Sequence, residues 1–178
     1  MKNKPEIIKT ERLVLKSFSE EDFAAIMAIF RDERVSATFM VPELETEEQQ
    51  KWLFSKLMEL SNDPTRFEYG VYHEDRLIGF VNDCDIDGDM MEIGYAISPA
   101  EWGKGYATEV LRASIEALFS IGYARIRAGY FEHNEASHRV MLKCGMKDIE
   151  ETEEDHYRGK TYLCCNCEIT KEQYDAEN

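Results

Sequence analysis

Seven segments of the chain have the alternating or short continuous apolar patterns that are typical of β-strands. In the first of them, Leu13 and Leu15 fall on the same face. Turns at His73-Glu74-Asp75 and Asp87-Gly88-Asp89 separate three of the others. The strands are predicted at Ile7–Phe18, Phe67–Tyr72, Arg76–Cys84, Met90–Ile97, Arg125–Phe131, Met146–His156 and Lys160–Ile169.

Other segments have the apolar spacing of three and four residues that indicates an amphipathic helix. Ser19 with Asp22, and Thr46 with Gln49, have the spacing of a helix capping box, and Gly122 is a natural helix terminator. One apolar helix face is formed by Ala107, Val110, Leu111, Ser114, Leu118 and Ile121. The helices are predicted from Ser19 to Phe30, from Thr46 to about Ser61, from Gly105 to Gly122 and from Asn134 to Gly145.

These helices and strands mix without the strict alternation of a doubly wound sheet, so we predict an α+β or mixed α/β fold. The chain shows no internal repeat, low-complexity linker or Pro/Gly-rich boundary, and its 178 residues suit one domain spanning 1–178.

The charge balance narrows the classes of partner. There are 36 acidic and 21 basic residues, which gives a formal charge of −15, and such a field repels nucleic acid and anionic membranes and favours cationic partners. Solubility is the alternative explanation. The sequence has no signal peptide and no run of about 18 apolar residues, and its five cysteines are an odd number. These features predict a cytoplasmic protein with reduced thiols.

The most informative stretch for function is the junction between the strand ending at Ile97 and the helix that follows. Its loop carries Gly103 and Gly105, which permit a sharp turn and a close approach of the backbone to a ligand. The unpaired N–H groups at a helix start form a site for phosphates, to which Lys104 would add a positive charge. A tight turn without a ligand is the alternative interpretation.

Other motifs do not fit a known site. The junction lacks the Walker pattern, and it lacks the third glycine of the dinucleotide fingerprint because position 108 is threonine. Asp83-x-Asp85-x-Asp87-Gly88 resembles half of a calcium loop, but the twelfth position is Gly94 rather than glutamate. Cys164, Cys165 and Cys167 have no second ligand pair at zinc-like spacing, and we predict buried strand cysteines and no metal.

Several short motifs, in order and at matching spacing, resemble the GNAT superfamily of N-acetyltransferases, in particular the branch that acetylates ribosomal-protein N-termini. The resemblance covers nearly the whole chain. The motifs are Thr10-Glu11-Arg12-Leu13-Val14-Leu15, Glu20-Glu21-Asp22, Glu92-Ile93-Gly94-Tyr95-Ala96-Ile97, Trp102-Gly103-Lys104-Gly105-Tyr106-Ala107-Thr108-Glu109, Asn134-Glu135-Ala136-Ser137 and Cys144-Gly145-Met146. The resemblance implies a mostly antiparallel mixed sheet flanked by helices, and acetyl-coenzyme A as co-substrate.

The resemblance also implies where the coenzyme binds. The superfamily's pyrophosphate motif is Gln/Arg-x-x-Gly-x-Gly/Ala, and here Gly105 and Ala107 fill the last two places while Trp102 stands in the first. Backbone amides of about 103–107 are expected to hold the pyrophosphate. The strand end is expected to bond the pantetheine arm, and Asn134 and Ser137 to line its other side; simple helix capping is the alternative for Asn134. The expected coenzyme-binding residues are Tyr95, Ala96, Ile97, Trp102, Gly103, Lys104, Gly105, Tyr106, Ala107, Thr108, Asn134 and Ser137.

Direct attack of an amine on a thioester needs an uncharged amine and a proton for the leaving thiolate. Glu92 is the first candidate for the base, acting directly or through water, and an exposed strand carboxylate is the alternative. Many family members supply the proton from a tyrosine, but that place is occupied by Met141. Ser137 is therefore the candidate acid, with Tyr130 the more distant choice, although a serine in a first helix turn often bonds only to backbone. His156 could also serve as a base, but a surface histidine is the preferred interpretation.

The acceptor is left open between two kinds of amine. A peptide N-terminus is the first hypothesis, since its amine is partly neutral at pH 7, and a small cationic amine such as a polyamine or aminoglycoside is the alternative. A peptide needs an open groove and a small amine a closed acidic pocket. A non-catalytic acyl-coenzyme A module on the same fold is the rival hypothesis, and a homodimer is compatible with this branch.

Overall fold

A single eight-stranded sheet organises the computed structural model, which describes residues 2–177. Its order is β1-β2-β3-β4-β5-β6-β8-β7, and all neighbours are antiparallel except β5 and β6, which are parallel. The strands are β1 Ile8–Lys9, β2 Val14–Lys16, β3 Tyr69–His73, β4 Arg76–Asp87, β5 Met90–Ile97, β6 Arg125–Phe131, β7 Lys147–Tyr157 and β8 Lys160–Thr170. The predicted mixed, mostly antiparallel fold is confirmed.

Helices cover both faces of this sheet and enclose two apolar clusters. The helices are α1 Phe23–Phe30, α2 Glu33–Ser36, α3 Glu47–Asn62, α4 Tyr106–Ser120, α5 Glu135–Lys143 and α6 Lys171–Glu177. Val110 and Leu111 of α4 join Ile93 of β5 in the larger cluster. Ile26 of α1 and Phe80 of β4 belong to the smaller cluster on the other face. No helix among residues 2–177 is long and apolar enough to span a membrane.

The capping residues correctly predicted where the long helices begin and end. The side chain of Thr46 accepts a hydrogen bond from the Gln49 amide, and the Gln49 side chain accepts one from Thr46, which starts α3 where the capping box predicted. Asp22 likewise accepts a hydrogen bond from the Ser19 amide at 2.7 Å, although a 3₁₀ turn precedes α1. Gly122 has a φ of 97°, as expected of a residue that ends a helix.

The prediction of one strand over Ile7–Phe18 is wrong. This segment forms two short strands, β1 and β2, which pair with each other around a turn. The Thr10 amide donates to the Leu13 carbonyl at 3.0 Å, and the Leu13 amide donates to Thr10 Oγ1 at 2.9 Å, so local hydrogen bonds replace an extended backbone.

The two parallel strands separate in the middle of the sheet. β5 and β6 pair only where Met90–Glu92 face Arg125–Arg127. Beyond Glu92 the β6-facing edge of β5 has no strand partner among residues 2–177, whereas β6 stays paired with β8 as far as Phe131. The unpaired backbone of β5 needs other hydrogen-bond partners, so this gap is where a ligand fits into the sheet.

Candidate functional site

The loop before α4 presents a row of free backbone donors. Gly103 and Gly105 have φ values of 78° and 83°, a left-handed conformation that favours glycine. Within the described part of the chain, no hydrogen bond is made by the amide N–H groups of residues 103–108; the first bonded amide of α4 is that of Glu109, to the Gly105 carbonyl at 3.1 Å. These donors add to the positive end of the helix dipole and form a site for a phosphate.

Arg12 holds this loop from behind. Its guanidinium donates to the Lys104 carbonyl at 3.0 Å and pairs with the Glu109 carboxylate at 2.6 Å. Glu109 also accepts hydrogen bonds from the Arg12 amide at 2.9 Å and from Thr10 Oγ1 at 2.5 Å. These bonds keep the pKa of Glu109 below its ordinary value, despite partial burial that acts in the other direction. The β1–β2 turn thus fixes the loop and the start of α4.

Two predicted loop residues have structural contacts. The Lys104 ammonium binds the buried Glu101 carboxylate at 2.7 Å, and Arg76 binds the same carboxylate at 2.8 Å. Lys104 does not line the cavity described below. The Trp102 indole donates to the Ile97 carbonyl at 2.7 Å, so this carbonyl at the end of β5 is already bonded.

A cavity of about 500 Å³ runs from this loop through the gap between β5 and β6. It brings together all the predicted coenzyme-binding residues except Lys104. The lining residues from α2, the segment after it and β6 were not predicted, since they lie far from the motifs in the chain. The lining comprises Val35, Thr38, Phe39, Gly94, Tyr95, Ala96, Ile97, Glu101, Trp102, Gly103, Gly105, Tyr106, Ala107, Thr108, Gly129, Asn134, Ala136, Ser137, Val140 and Lys143.

A second cavity, of about 580 Å³, adjoins the first at Gly105, Thr108 and Lys143. Its lining includes four basic side chains, which are Lys9, Arg12, Arg112 and Lys143. Three acidic residues, Glu11, Glu109 and Glu116, also line it. With four basic and three acidic residues, this lining is far less acidic than the whole chain, whose formal charge is −15, and it can accept further phosphate groups.

Asn134 and Ser137 meet Tyr95 across the cavity. Asn134 Oδ1 accepts from the Ser137 amide at 3.2 Å, which confirms its capping role at the start of α5, while its residue also lines the cavity. Ser137 Oγ donates to the Tyr95 hydroxyl at 3.2 Å. Burial raises the pKa of Tyr95 far above its ordinary value, so this hydroxyl stays protonated.

Glu92 lies beside the cavity without lining it. Its Oε1 lies 3.5 Å from the position that a Cβ on Gly129 would occupy, and Gly129 does line the cavity. The Glu92 carboxylate makes no hydrogen bond within residues 2–177. Burial raises its pKa; Arg127 opposes the shift, and nearby acidic groups add to it. These acidic groups are Glu153, Asp85 and Asp155.

On the Glu92 side of the sheet, three hydrogen bonds join segments from different parts of the chain. Arg158 donates to Ser36 Oγ at 3.0 Å, and the Val41 amide donates to the Tyr157 hydroxyl at 3.2 Å. His133 Nε2 lies 3.0 Å from the Ala37 carbonyl. The tip of the β7–β8 hairpin and the loop before α5 are thereby tied to α2 and the residues after it, which narrows access to the cavity from the Glu92 side.

The remaining catalytic candidates lie elsewhere. Met141 is 1% exposed in the larger core cluster, so nothing at this place donates a proton. Tyr130 stacks on His138 with ring centroids 4.7 Å apart and does not line the cavity. His156 is exposed and bonds to Thr161 across the β7–β8 pair, as expected of a surface histidine. Of Cys164, Cys165 and Cys167, only Cys167 is buried, so the prediction of buried cysteines is wrong for the other two.

Comparison with known proteins agrees with this geometry. Residues 12–147 match the family model described as the acetyltransferase (GNAT) domain. An uncharacterized N-acetyltransferase of Bacillus subtilis, YoaA, is 32% identical over 146 residues, which cover 79% of this chain and 82% of the relative. RimL, a ribosomal-protein α-N-acetyltransferase solved with coenzyme A, superposes with a TM-score of 0.81 at 16% identity, covering 93% of this chain and 98% of RimL. The spermidine N-acetyltransferase of Vibrio cholerae, solved with coenzyme A and spermine, superposes with a TM-score of 0.78 at 18% identity, covering 93% and 99%. The chain belongs to the GNAT family and is an acetyl-coenzyme A-dependent N-acetyltransferase.

Proposed function

We propose that this enzyme transfers the acetyl group of acetyl-coenzyme A to a primary amine of a small polycation, such as a polyamine or an aminoglycoside. The observation that carries the proposal is the cavity through the gap in the sheet, which has free phosphate-binding amides at one end and the acid-surrounded Glu92 beside the other. An anionic coenzyme and a cationic acceptor would thus approach from opposite faces of the sheet.

The coenzyme is expected to bind along the first cavity. The amides of residues 103–108 would hold the pyrophosphate, and the unpaired edge of β5 beyond Glu92 would bond the amide groups of the pantetheine arm. The Ile97 carbonyl already accepts one hydrogen bond from the Trp102 indole, which leaves it one further lone pair for the pantetheine arm. The second cavity, with Arg12 and Arg112, suits the phosphate on the ribose.

In the proposed reaction, the neutral amine attacks the thioester carbonyl carbon, a C–N bond forms and the C–S bond breaks. The proton lost by the amine goes to Glu92 through one water, because Glu92 stands beside the cavity rather than in it. The thiolate takes a proton from Ser137 Oγ, which regains a proton from solvent while Tyr95 holds it in place. The raised pKa of Glu92 makes its carboxylate a stronger base than an exposed glutamate.

Two observations favour a small polycation over a peptide N-terminus. The acidic groups Asp85, Glu153 and Asp155 surround Glu92, which suits an acceptor with more than one positive charge. The hydrogen bonds from the β7–β8 hairpin and from His133 to α2 and its neighbours narrow the groove that a peptide would occupy. A peptide N-terminus is the second candidate, since RimL shares the fold.

Binding of acetyl-coenzyme A tests the coenzyme part of the proposal. In isothermal calorimetry, the wild-type protein should bind it, and Gly105→Glu should abolish binding because a carboxylate would stand at the phosphate site. Gly88→Glu is the matched control, since Gly88 also has a positive φ, of 62°, and lies in the β4–β5 turn. Failure of the wild type to bind at millimolar concentration, or equal binding by Gly105→Glu, would refute the assignment.

A panel of candidate acceptor amines tests the proposed substrate class. Release of coenzyme A should be fastest with spermine, spermidine and an aminoglycoside, and slower with peptides that begin with serine or alanine. Mass spectrometry of the product should show one added acetyl group on an amine. If only the peptides are acetylated, the polycation proposal fails while the coenzyme assignment stands.

A further inference from the structure

Three potential metal-ligand side chains meet on the opposite side of the sheet from Glu92. They are His138 of α5, Asp148 of β7 and Cys167 of β8. Asp148 Oδ1 lies 2.7 Å from His138 Nε2 and 3.3 Å from Cys167 Sγ, and all three ligand atoms lie within 4.8 Å of one another. None of the three residues lines either cavity, so the group is separate from the proposed coenzyme and acceptor sites.

We propose that His138, Asp148 and Cys167 bind one zinc ion, with water at the fourth position. Zinc takes nitrogen and carboxylate oxygen at about 2.0 Å and sulfur at about 2.3 Å, so the ligand atoms of one tetrahedral site lie about 3 to 4 Å apart. The observed distances of 2.7 and 3.3 Å need only small side-chain shifts to reach that geometry. A thiolate and an imidazole select zinc over calcium or magnesium, which prefer oxygen ligands.

The fold already holds these ligands in place. Asp148 and Cys167 are direct partners in the β7–β8 pairing, so the sheet fixes their separation. The His138 ring stacks on Tyr130 with an interplanar angle of 9°, which sets the direction of Nε2. Cys167 is fully buried, whereas the Asp148 side chain is 59% exposed and provides a path from solvent. Such preorganisation lowers the entropic cost of binding an ion.

The sequence alone gave no sign of this site. The cysteines of the last strand lack a second ligand pair at zinc-like spacing in the sequence. In the structure, the partners of Cys167 are His138 of α5 and Asp148 of β7, which lie 29 and 19 residues before it in the chain. Cys164 belongs to the other face of β8, where its thiol bonds to Asp155 at 2.7 Å.

Zinc and cobalt titrations of the chelator-treated full chain test the proposal. Zinc should bind with a stoichiometry of one in calorimetry and should raise the melting temperature. Cobalt should bind in its place and produce a near-ultraviolet thiolate-to-cobalt charge-transfer band together with the visible bands of a four-coordinate ion. Cys167→Ser should lose the charge-transfer band, and His138→Ala should lower the zinc affinity at least tenfold.

Cys164→Ser is the matched control, because it removes a neighbouring thiol of the same strand and should leave the band and the affinity unchanged. Should Cys167→Ser fail to fold, His138→Ala and Asp148→Asn carry the test, since both side chains are at least partly exposed. Absence of stoichiometric zinc binding by the wild type, or a charge-transfer band that persists in Cys167→Ser, would overturn the proposal.

Discussion

The Tyr95 hydroxyl links the end of β5 to the first turn of α5 by accepting a hydrogen bond from Ser137 Oγ at 3.2 Å. It also lies 3.4 Å from the Ser137 carbonyl, so it fixes both the side chain and the backbone of this serine. Met141 is buried in the core and has no proton to donate, and Ser137, which lines the cavity, is the acid in the proposed reaction. In that proposal Tyr95 is a positioning residue for Ser137.

Tyr95→Phe should lower kcat about tenfold, the value expected for loss of one hydrogen bond of about 1.4 kcal/mol. The KM for acetyl-coenzyme A should change less. Ser137→Ala should lower kcat further, and the double variant should resemble Ser137→Ala alone because both changes act on one unit. Tyr69→Phe is the control, since the Tyr69 hydroxyl bonds to the Pro5 carbonyl away from the cavity. Additive losses in the double variant would contradict the assignment.

The raised pKa of Glu92 predicts the pH dependence of the reaction. A base must be deprotonated, so kcat/KM should fall as the pH drops through the pKa of Glu92, which lies above that of an ordinary glutamate. Glu92→Gln should lower kcat about 100-fold and remove this acid limb. Asp85→Asn should move the limb to lower pH with kcat preserved, because Asp85 is one of the charges that raise this pKa. An unchanged profile in Glu92→Gln would exclude Glu92 as the base.

At the scale of structural elements, the β1–β2 hairpin has a supporting role that was not predicted from the sequence. It contributes no residue to the first cavity, yet Arg12 and Thr10 hold Glu109 and the loop before α4 in place. The motif around Arg12 therefore supports the loop before α4 from outside the first cavity, while Arg12 itself lines the second cavity.

Arg12→Ala should raise the dissociation constant of acetyl-coenzyme A about tenfold with little change in kcat, since a charge-assisted bond to the loop is worth about 1.5 to 3 kcal/mol and part of that loss falls on folding. Calorimetry and thermal melting measure the two effects. Arg125→Ala is the control, because the ion pairs of the Arg125 side chain with Asp89 and Glu168 are long, at 4.0 and 3.8 Å. An equal effect of both substitutions would contradict a specific role for Arg12.

Local signals in the sequence explain which elements were predictable. The capping residues Thr46 and Asn134 located α3 and α5, and strands β5 and β6 were predicted with their observed bounds. The hairpin at Thr10–Leu13 was missed because its turn is made by a threonine hydroxyl rather than by glycine or proline. The short helix α2 and the terminal helix α6 were also missed, since neither was marked by the periodicity of a long apolar face.

The same distinction applies to the site. The loop before α4 is continuous in sequence, so its glycines were enough to predict a phosphate site there. The hydrogen bond of Ser137 with Tyr95 and the placement of Glu92 beside Gly129 involve residues on different elements, and no local sequence pattern predicts them. The assignments of catalytic and coenzyme-binding residues remain predictions, as does the single-domain organisation of residues 1–178.

At the scale of the whole molecule, the gap between β5 and β6 lies between two regions of different charge. Four basic residues, Lys9, Arg12, Arg112 and Lys143, and three acidic ones line the cavity next to the loop before α4. On the other face, Glu92 lies among acidic groups, and the whole chain carries a formal charge of −15. In the proposed function, the basic groups reduce locally a field that would otherwise repel the coenzyme, and the acidic face would attract a cation.

This separation predicts how salt affects the two substrates. Raising the ionic strength from about 0.1 M to about 1 M shortens the Debye length from about 10 Å to about 3 Å and screens the acidic field. The KM for spermine should therefore rise several-fold at saturating acetyl-coenzyme A, while kcat stays nearly constant, because screening weakens the encounter and binding of the cation more than the chemistry. An amine with a single positive charge serves as the control and should show a smaller rise. If both amines respond equally, the net acidic field does not select the acceptor, and the shape of the cavity alone must do so.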